Sequence, residues 1–506
     1  MKKISATVIL FIIGSAIALA PIIEFKLIPG DGSEGDWFGY SVSISGDYAI
    51  VGADGGENNG ISTGAAYIFK RNSDTTWIEE QKLLASDGVE FDGFGISSSM
   101  SGDYVIISAP WKDNFMGASY IFKRDGNTWI EEQKLLASDG NANDEFGFAV
   151  SISGDYVIVG ARMKDNKQGA AYIFKRDGNT WTEEQKLLAS DGDTLDQFGN
   201  SVSISGEYAI VGARMKDNRQ GASYIFSRNN TTWTEGQKLI ASDAALDDRF
   251  GWSVSIAGNY AIVGATGDDN NKGSAYIFKR DGTTWIEEQK LLANDGNAED
   301  WFGVVSISEN YAIVGAQGDD NWKGSVYIFR RDGLTWIEQE KCSPTSCPEN
   351  SSLGRTVSLS ENSAIVGAPY DTINGSNSGA AYIISDFVVG IGDDLSKNPA
   401  DFRLVQNYPN PFNPSTIIKY QIPEQSFVNL KVYDVLGSEV ATLVNEEKPA
   451  GNYEIEFDSH SGEVQNLPSG VYFYQLRATP SGGQAGDPST SSGQGFVETR
   501  KMVFIK

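Results

Sequence analysis

A phenylalanine–glycine pair returns along this chain at a nearly fixed interval. The pairs begin at Phe38, Phe94, Phe146, Phe198, Phe250 and Phe302, spaced by 56, 52, 52, 52 and 52 residues, and a degenerate pair, Leu353-Gly354, follows 51 residues later. Trp77, Trp129, Trp181, Trp233, Trp285 and Trp336 keep almost the same step. A period of this length means that one supersecondary unit has been copied and that the copies bury each other's faces.

Each unit reads as four short strands. In the third they are FAVSIS, YVIVGA, AAYIFKR and TWTEEQKLLA, broken by SGD, a polar loop and DGN. β-Branched and aromatic runs between Gly, Asp and Asn breaks are the signature of strands and turns. YVIVGA is apolar almost throughout, as expected of a strand covered on both faces. A four-stranded sheet cannot cover itself, and radial stacking of such sheets gives a β-propeller. The seventh unit stops after AAYIISDF, before any fourth strand, whereas FKLIPGDG at Phe25–Gly32 copies QKLLASDG. The N-terminal strand is therefore expected to complete the last blade. The fold class is all-β: a seven-bladed β-propeller closed by an N-terminal strand, followed by a small antiparallel β-sandwich.

The Phe-Gly pairs, together with Gly160-Ala161, Gly212-Ala213, Gly264-Ala265, Gly315-Ala316 and Gly367-Ala368, resemble the FG-GAP repeats of the integrin α-subunit propeller and of bacterial surface proteins. The resemblance covers about residues 22–389. It departs at Ser108, which replaces the landmark Gly of the second unit, and at Leu353, which replaces Phe in the seventh.

The ends of the chain carry addresses. Residues 1–20 combine two lysines, an apolar run from Val8 to Ile13 and a small-residue finish at Ala18-Leu19-Ala20, the layout of a secretory signal peptide. The propeller is expected over 21–389 and a linker over 390–402. All 11 Trp precede residue 337, and nine of the 15 Pro lie at or after Pro399, so the composition changes there. Residues 403–506 alternate in strands such as TIIKYQI and VNLKVYDV, which suggests the sandwich. NYPNPFNPST (Asn407–Thr416), VYDVLG (Val432–Gly437), LPSGVYFYQL (Leu467–Leu476) and the terminal KMVFIK resemble the type A sorting domain of the type IX secretion system. That resemblance implies the type IX machinery as a partner and a secreted or outer-surface destination. SGGQAGDPSTSSGQG (Ser481–Gly495) reads as an inserted loop.

With 40 Lys+Arg against 67 Asp+Glu, the formal charge of −27 argues against nucleic acid as a partner. No stretch after the signal is long and apolar enough for a transmembrane helix. One His (His460) and two Cys leave little for zinc or cysteine-nucleophile chemistry. Cys342 and Cys347, in CSPTSC, are expected to form a local disulfide in an exported chain.

The loops between strands two and three, and those between blades, share one rim, and there the copies diverge. Arg162, Lys164, Arg214 and Lys216 make blades three and four basic; Asp268, Asp269, Asp319 and Asp320 make blades five and six acidic; Trp111, Phe115 and Trp322 add aromatic area. These are the candidate ligand residues. Calcium is the cofactor to consider, because Asp139-x-Asn141-x-Asn143 and Asp295-x-Asn297-x-Glu299 space oxygen ligands at alternate positions. Both lack a glycine at the sixth position, and the tight SGD turns leave no room for the calcium loop of integrin-type blades. Asp and Asn in such loops also serve as turn formers. The leading reading is a secreted or surface binding protein that engages a protein or glycan through this rim. A structural envelope component and a polysaccharide-directed propeller enzyme are the alternatives, the last weakened by the absence of His from the repeats.

Overall fold

The computed structural model describes residues 23–504 apart from 59, 74–75, 334, 361–362, 386–401, 405–406, 408–414, 436, 459–466 and 481–495. The expected signal peptide, all but the last residue of the 390–402 linker, most of Asn407–Thr416, His460 and the insert Ser481–Gly495 lie outside the described residues. The chain forms two compact units, Pro21–Val388 and Val389–Lys506.

The first unit is seven four-stranded antiparallel sheets, one per repeat. In blade 3 the strands are Phe146–Ser153, Tyr156–Ala161, Ala170–Asp177 and Thr180–Leu187, in that order from the axis outward. The second strand is buried at every position because neighbouring sheets cover both of its faces. The core therefore lies between blades. One cluster joins Tyr156, Ile158 and Leu187 of blade 3 to Phe198, Val211 and Trp233 of blade 4.

Polar contacts fix the blade-to-blade register. The serines of the first strands accept from backbone amides of the next blade: Ser151 Oγ from Ile204 N at 3.2 Å and Ser358 Oγ from Ile44 N at 3.3 Å. Further out, Gln133 mimics a peptide unit, donating to the Trp181 carbonyl at 2.6 Å and accepting from the Trp181 amide at 2.8 Å. The same clasp joins Gln81 to Trp129, Gln185 to Trp233, Gln237 to Trp285 and Gln289 to Trp336.

Closure follows the expectation. Ile23–Leu27 pairs antiparallel with Ala380–Ser385, with Phe25 opposite Ile383 and Leu27 opposite Ala381, and completes the sheet of blade 7. Phe25 stands where blades 1 to 5 carry the clasp glutamine, and like Trp77 it packs against the apolar cluster at the seam. Lys26 reaches the buried Asp371 at 2.8 Å.

The expected disulfide is a correction. Cys342 and Cys347 are buried thiols in one apolar cluster, with no bridge between them. Cys342 ends its strand opposite Val326, as Leu291 ends its own opposite Ala275, so it fills a leucine position. The Cys347 thiol meets Ser351 and Tyr382 instead.

The second unit is sandwich-like. One sheet holds Arg403–Leu404, Ser415–Ile422 and Gly451–Asp458; the other holds Glu439–Lys448, Ser426–Tyr433, Gly470–Pro480 and Phe496–Phe504. Alternating side chains from both sheets, among them Ile418, Tyr420, Leu430, Tyr474 and Met502, meet in one core. Asn407 is buried: its amide donates to Tyr474 Oη at 2.7 Å and its side chain to Thr416 Oγ1 at 3.0 Å.

Two glycines test the packing of the ring. Gly169 has φ +87°, and a Cβ there would lie 2.0 Å from the Phe198 carbonyl oxygen, whereas Gly178 in a turn has φ +62° and open space. Gly169→Ala is expected to cost about 3 kcal/mol or more in urea denaturation, and Gly178→Ala about 1 kcal/mol. Equal losses would contradict the close blade crossing.

Candidate functional site

In blades 1, 3 and 5 the first strand carries a bulge that aims one side chain at the propeller axis. In blade 3 the pairing jumps from Phe146–Ala161 to Ala149–Gly160, leaving Gly147 and Phe148 outside the ladder. Equivalent bulges release Tyr40 in blade 1 and Trp252 in blade 5. In blade 6 the jump is from Phe302 to Val304, one residue shorter, which accounts for the 51-residue step to Leu353.

These side chains and the residues after the second strands surround an axial well of about 490 Å³. Its wall carries Tyr40, Phe148 and Trp252 from the bulges, Ile96, Asn200 and Arg355 from the segments just before the first strands of blades 2, 4 and 7, and Trp111, Arg162, Arg214 and Gln317 from the loops after the second strands. Val42, Val150, Val202, Val254 and Val357, two positions further along, line it as well, together with Val305 of blade 6.

Three guanidiniums share the well. Arg162 donates from Nε to Glu145 Oε2 at 2.7 Å and lies 3.3 Å over the Phe148 ring. Arg214 donates from Nε to Gln197 Oε1 at 3.0 Å and lies 4.5 Å over the Trp252 ring. Arg355 donates to Gln317 Oε1 and to Tyr40 Oη, each at 3.2 Å. Burial, together with the neighbouring charges of Arg162 and Arg249, pulls Arg214 down to about 10. Asn200, 7% exposed, donates to the Trp252 carbonyl at 3.2 Å, while its Oδ1 is buried without a protein partner. Beside the well, Asp54 is pushed up to about 7 by burial, against the pull of Arg355, and its Oδ1 also has no partner.

The structure separates the rim residues that the sequence groups together. Trp111, Arg162 and Arg214 reach the well. Lys164 and Lys216 do not: they are buried, with Lys164 Nζ 2.8 Å from Asp144 and Lys216 Nζ 2.9 Å from Asp196. Their role is to neutralise an aspartate between blades. Asp268 and Asp319 occupy the same repeat position and are likewise buried, each 2.6 Å from the lysine of the outer strand, Lys290 or Lys341. The two signs of charge are thus two solutions to one buried pairing problem, and these four side chains are not offered to a ligand. Asp269 and Asp320 are exposed at φ +49° and +50° and begin left-handed turns continued by Asn270 and Asn321. Trp322 and Phe115 remain exposed, Trp322 in edge contact with Trp301 at 5.2 Å between centroids.

The proposed calcium ligands do not fit a cation. Asp139 accepts from Tyr172 Oη at 2.7 Å and Lys186 Nζ at 2.8 Å, so an ammonium stands where the metal would have to be. Although burial opposes them, these bonds hold its carboxyl at about 2. Asp295 is bound in the same way by Tyr327 and Lys341. Asn141 turns back to the Asp139 carbonyl, Asn143 sits at φ +69° in the turn, and Glu299 accepts from Asn271 and Trp301. Among the described residues no cluster of three acidic, His or Cys side chains is arranged to hold a metal.

Sequence reasoning missed Tyr40, Phe148, Asn200, Trp252 and Arg355. The signal was present: the residue after the Phe-Gly pair, or Leu353-Gly354 in blade 7, is Tyr40, Ile96, Phe148, Asn200, Trp252, Val304 and Arg355 in turn, inside an otherwise repeated frame.

The fold and the well define a closed repeat propeller that displays unlike side chains at one end of its axis, joined to a sandwich domain. The chain belongs to the FG-GAP repeat family, whose repeat matches residues 24–69, 77–122, 129–174, 181–226, 233–278, 285–329 and 336–384. Residues 406–482 match the secretion system C-terminal sorting domain, which marks the chain for export to the cell surface or beyond. Integrin alpha-11 of Homo sapiens is 30% identical over 127 residues, which cover 22% of this chain and 10% of that protein. A solved structure of PorZ, an essential bacterial surface component of the type IX secretion system of Porphyromonas gingivalis, aligns at 13% identity and a TM-score of 0.40, over 94% of this chain and 60% of that one. No helix among the described residues is long and apolar enough to cross a membrane.

Two outcomes follow from this geometry. Millimolar calcium after EDTA is expected to move the melting temperature by less than about 1 °C, since a ligand stabilises only by binding the native state; a rise of several degrees would contradict the lysine-filled sites. Asp54, with its native pKa raised, weakens the fold progressively from about pH 4 to about pH 7 and by a constant amount above that. Asp54→Asn should therefore gain about 2–3 kcal/mol relative to the parent between pH 5 and pH 8 in urea denaturation. An unchanged difference would contradict a carboxyl whose pKa is raised by burial.

Proposed function

We propose that this chain is an exported binding protein that engages an extracellular protein or glycan with the axial face of its propeller. The observation that carries the reading is the well itself. A frame repeated almost residue for residue places a different side chain at the axis in each blade that has one. Cationic and aromatic groups at such a site are the residue types that dominate binding energy at interfaces. The sorting domain supports an extracellular site of action, and the local likeness to an integrin alpha chain agrees with it.

Binding is favoured over glycoside hydrolysis. That reaction needs two carboxylates across the scissile bond, about 5–10 Å apart. None of the described side chains lining the well is a carboxylate, and Glu145 at its edge is tied to Arg162.

The test is capture of the exported chain on arrays of glycans and surface proteins. Phe148→Ala and Arg214→Gln should weaken capture at least tenfold, about 1.4 kcal/mol. Asp125→Asn and Asp281→Asn, in turns at the opposite end of the blades, should leave it unchanged. Equal effects from the two sets would contradict an axial site.

A further inference from the structure

We propose that the axial well binds an acidic sugar: Arg355 receives its carboxylate in a well whose positive charge Arg214 reinforces, and the Asn200 carbonyl oxygen receives one of its hydroxyls. This rests on the binding reading above and names its ligand class.

The charge points to an anion. Arg162 carries its own carboxylate, Glu145, whereas the guanidiniums of Arg214 and Arg355 hold only neutral partners, Gln197, Gln317 and Tyr40. Asp54 beside Arg355 gives incomplete compensation, because burial favours its neutral form. Two uncompensated guanidiniums in a chain of net charge −27 make a local positive focus, and their planar forks match a carboxylate.

Asn200 adds the second requirement. Its Oδ1 is buried in the wall without a donor, and such an acceptor is costly to leave unmet. A carboxylate without hydroxyls brings no donor at neutral pH, whereas a sugar acid brings several hydroxyls besides its carboxylate. The walls of Trp252, Phe148 and Tyr40 offer apolar area for a ring, and about 490 Å³ holds one or two sugar rings.

The experiment is calorimetric titration of the full exported chain with sodium glucuronate, and with glucose, N-acetylglutamate and inorganic phosphate as comparisons. Glucuronate should bind with a Kd of about 1 mM or tighter, and the other three at least tenfold more weakly. Arg355→Gln should weaken glucuronate about tenfold. Asn200→Leu should weaken it several-fold without changing the dependence on salt, because no charge is lost. Arg355 is half-exposed, so its variant keeps the test valid even where Arg214→Gln fails to fold, and an unchanged near-ultraviolet dichroism spectrum verifies that.

N-Acetylglutamate or phosphate binding as tightly as glucuronate would overturn the sugar assignment, as would a folded Arg355→Gln that binds glucuronate like the parent. Silence with glucuronate, alongside well-dependent capture of an array target, would overturn the ligand class and leave the binding reading standing. Silence in both experiments would remove both.

Discussion

At every blade boundary the amide of the repeat phenylalanine, or of Leu353 in blade 7, donates to a carbonyl of the preceding blade. Phe94 bonds Thr63, Phe146 bonds Met116, Phe198 bonds Gln168, Phe250 bonds Gln220, Phe302 bonds Lys272, Leu353 bonds Lys323, and Phe38 closes the circle on Ser378 at 3.1 Å. The acceptor always precedes a glycine at positive φ, because the neighbouring backbone passes within van der Waals distance and leaves no room for a Cβ. The ring depends on this crossing. It buries the phenylalanine, and in blades 1, 3 and 5 the next two residues leave the ladder, the second of them facing the axis. The well is thus a by-product of how blades are joined, which is why its lining can vary without loss of fold.

A second layer of contacts makes the boundary specific. On the rim, a tyrosine hydroxyl and a lysine of one blade bind an aspartate that leads out of the preceding blade, as Tyr172 and Lys186 bind Asp139. Blades 2 to 4 add a second buried lysine to this knot, and blades 5 to 7 substitute an aspartate, Asp268, Asp319 or Asp371. Removing one partner from such a buried pair leaves an uncompensated charge, which is more damaging than the pair is stabilising. The charge asymmetry between the two halves of the rim therefore reflects internal pairing more than an outward field.

Much of the architecture was legible because it is periodic. The repeat step, the strand pattern and the copied FKLIPGDG segment specify seven blades and their closure, and the structure reproduces both. The rim was less legible. Lys164 and Arg162 are two residues apart in one polar loop, yet one faces a buried aspartate and the other the axis; only the fold of the left-handed turn decides which. The Asp-x-Asn spacings look like cation ligands because Asp and Asn are also the residues that tolerate left-handed backbone, and here that property governs them. Cys342 reads as half of a disulfide until its strand register shows it filling a leucine site. Phe148 and Trp252 looked like framework because they sit inside a strand, and the bulge that frees them is invisible in hydrophobic alternation.

The recognition reading needs a ring rigid enough to hold unlike side chains around one axis, and so it depends on the closing strand being a full member of blade 7. Native-state hydrogen exchange at Phe25, Lys26 and Leu27 tests this most directly. The account expects their ladder amides to exchange as slowly as those of Thr180–Leu187, the corresponding outer strand of blade 3, with opening energies near that of global unfolding. Exchange as fast as that of a frayed terminus, with blade 3 still protected, would show an open ring and contradict it.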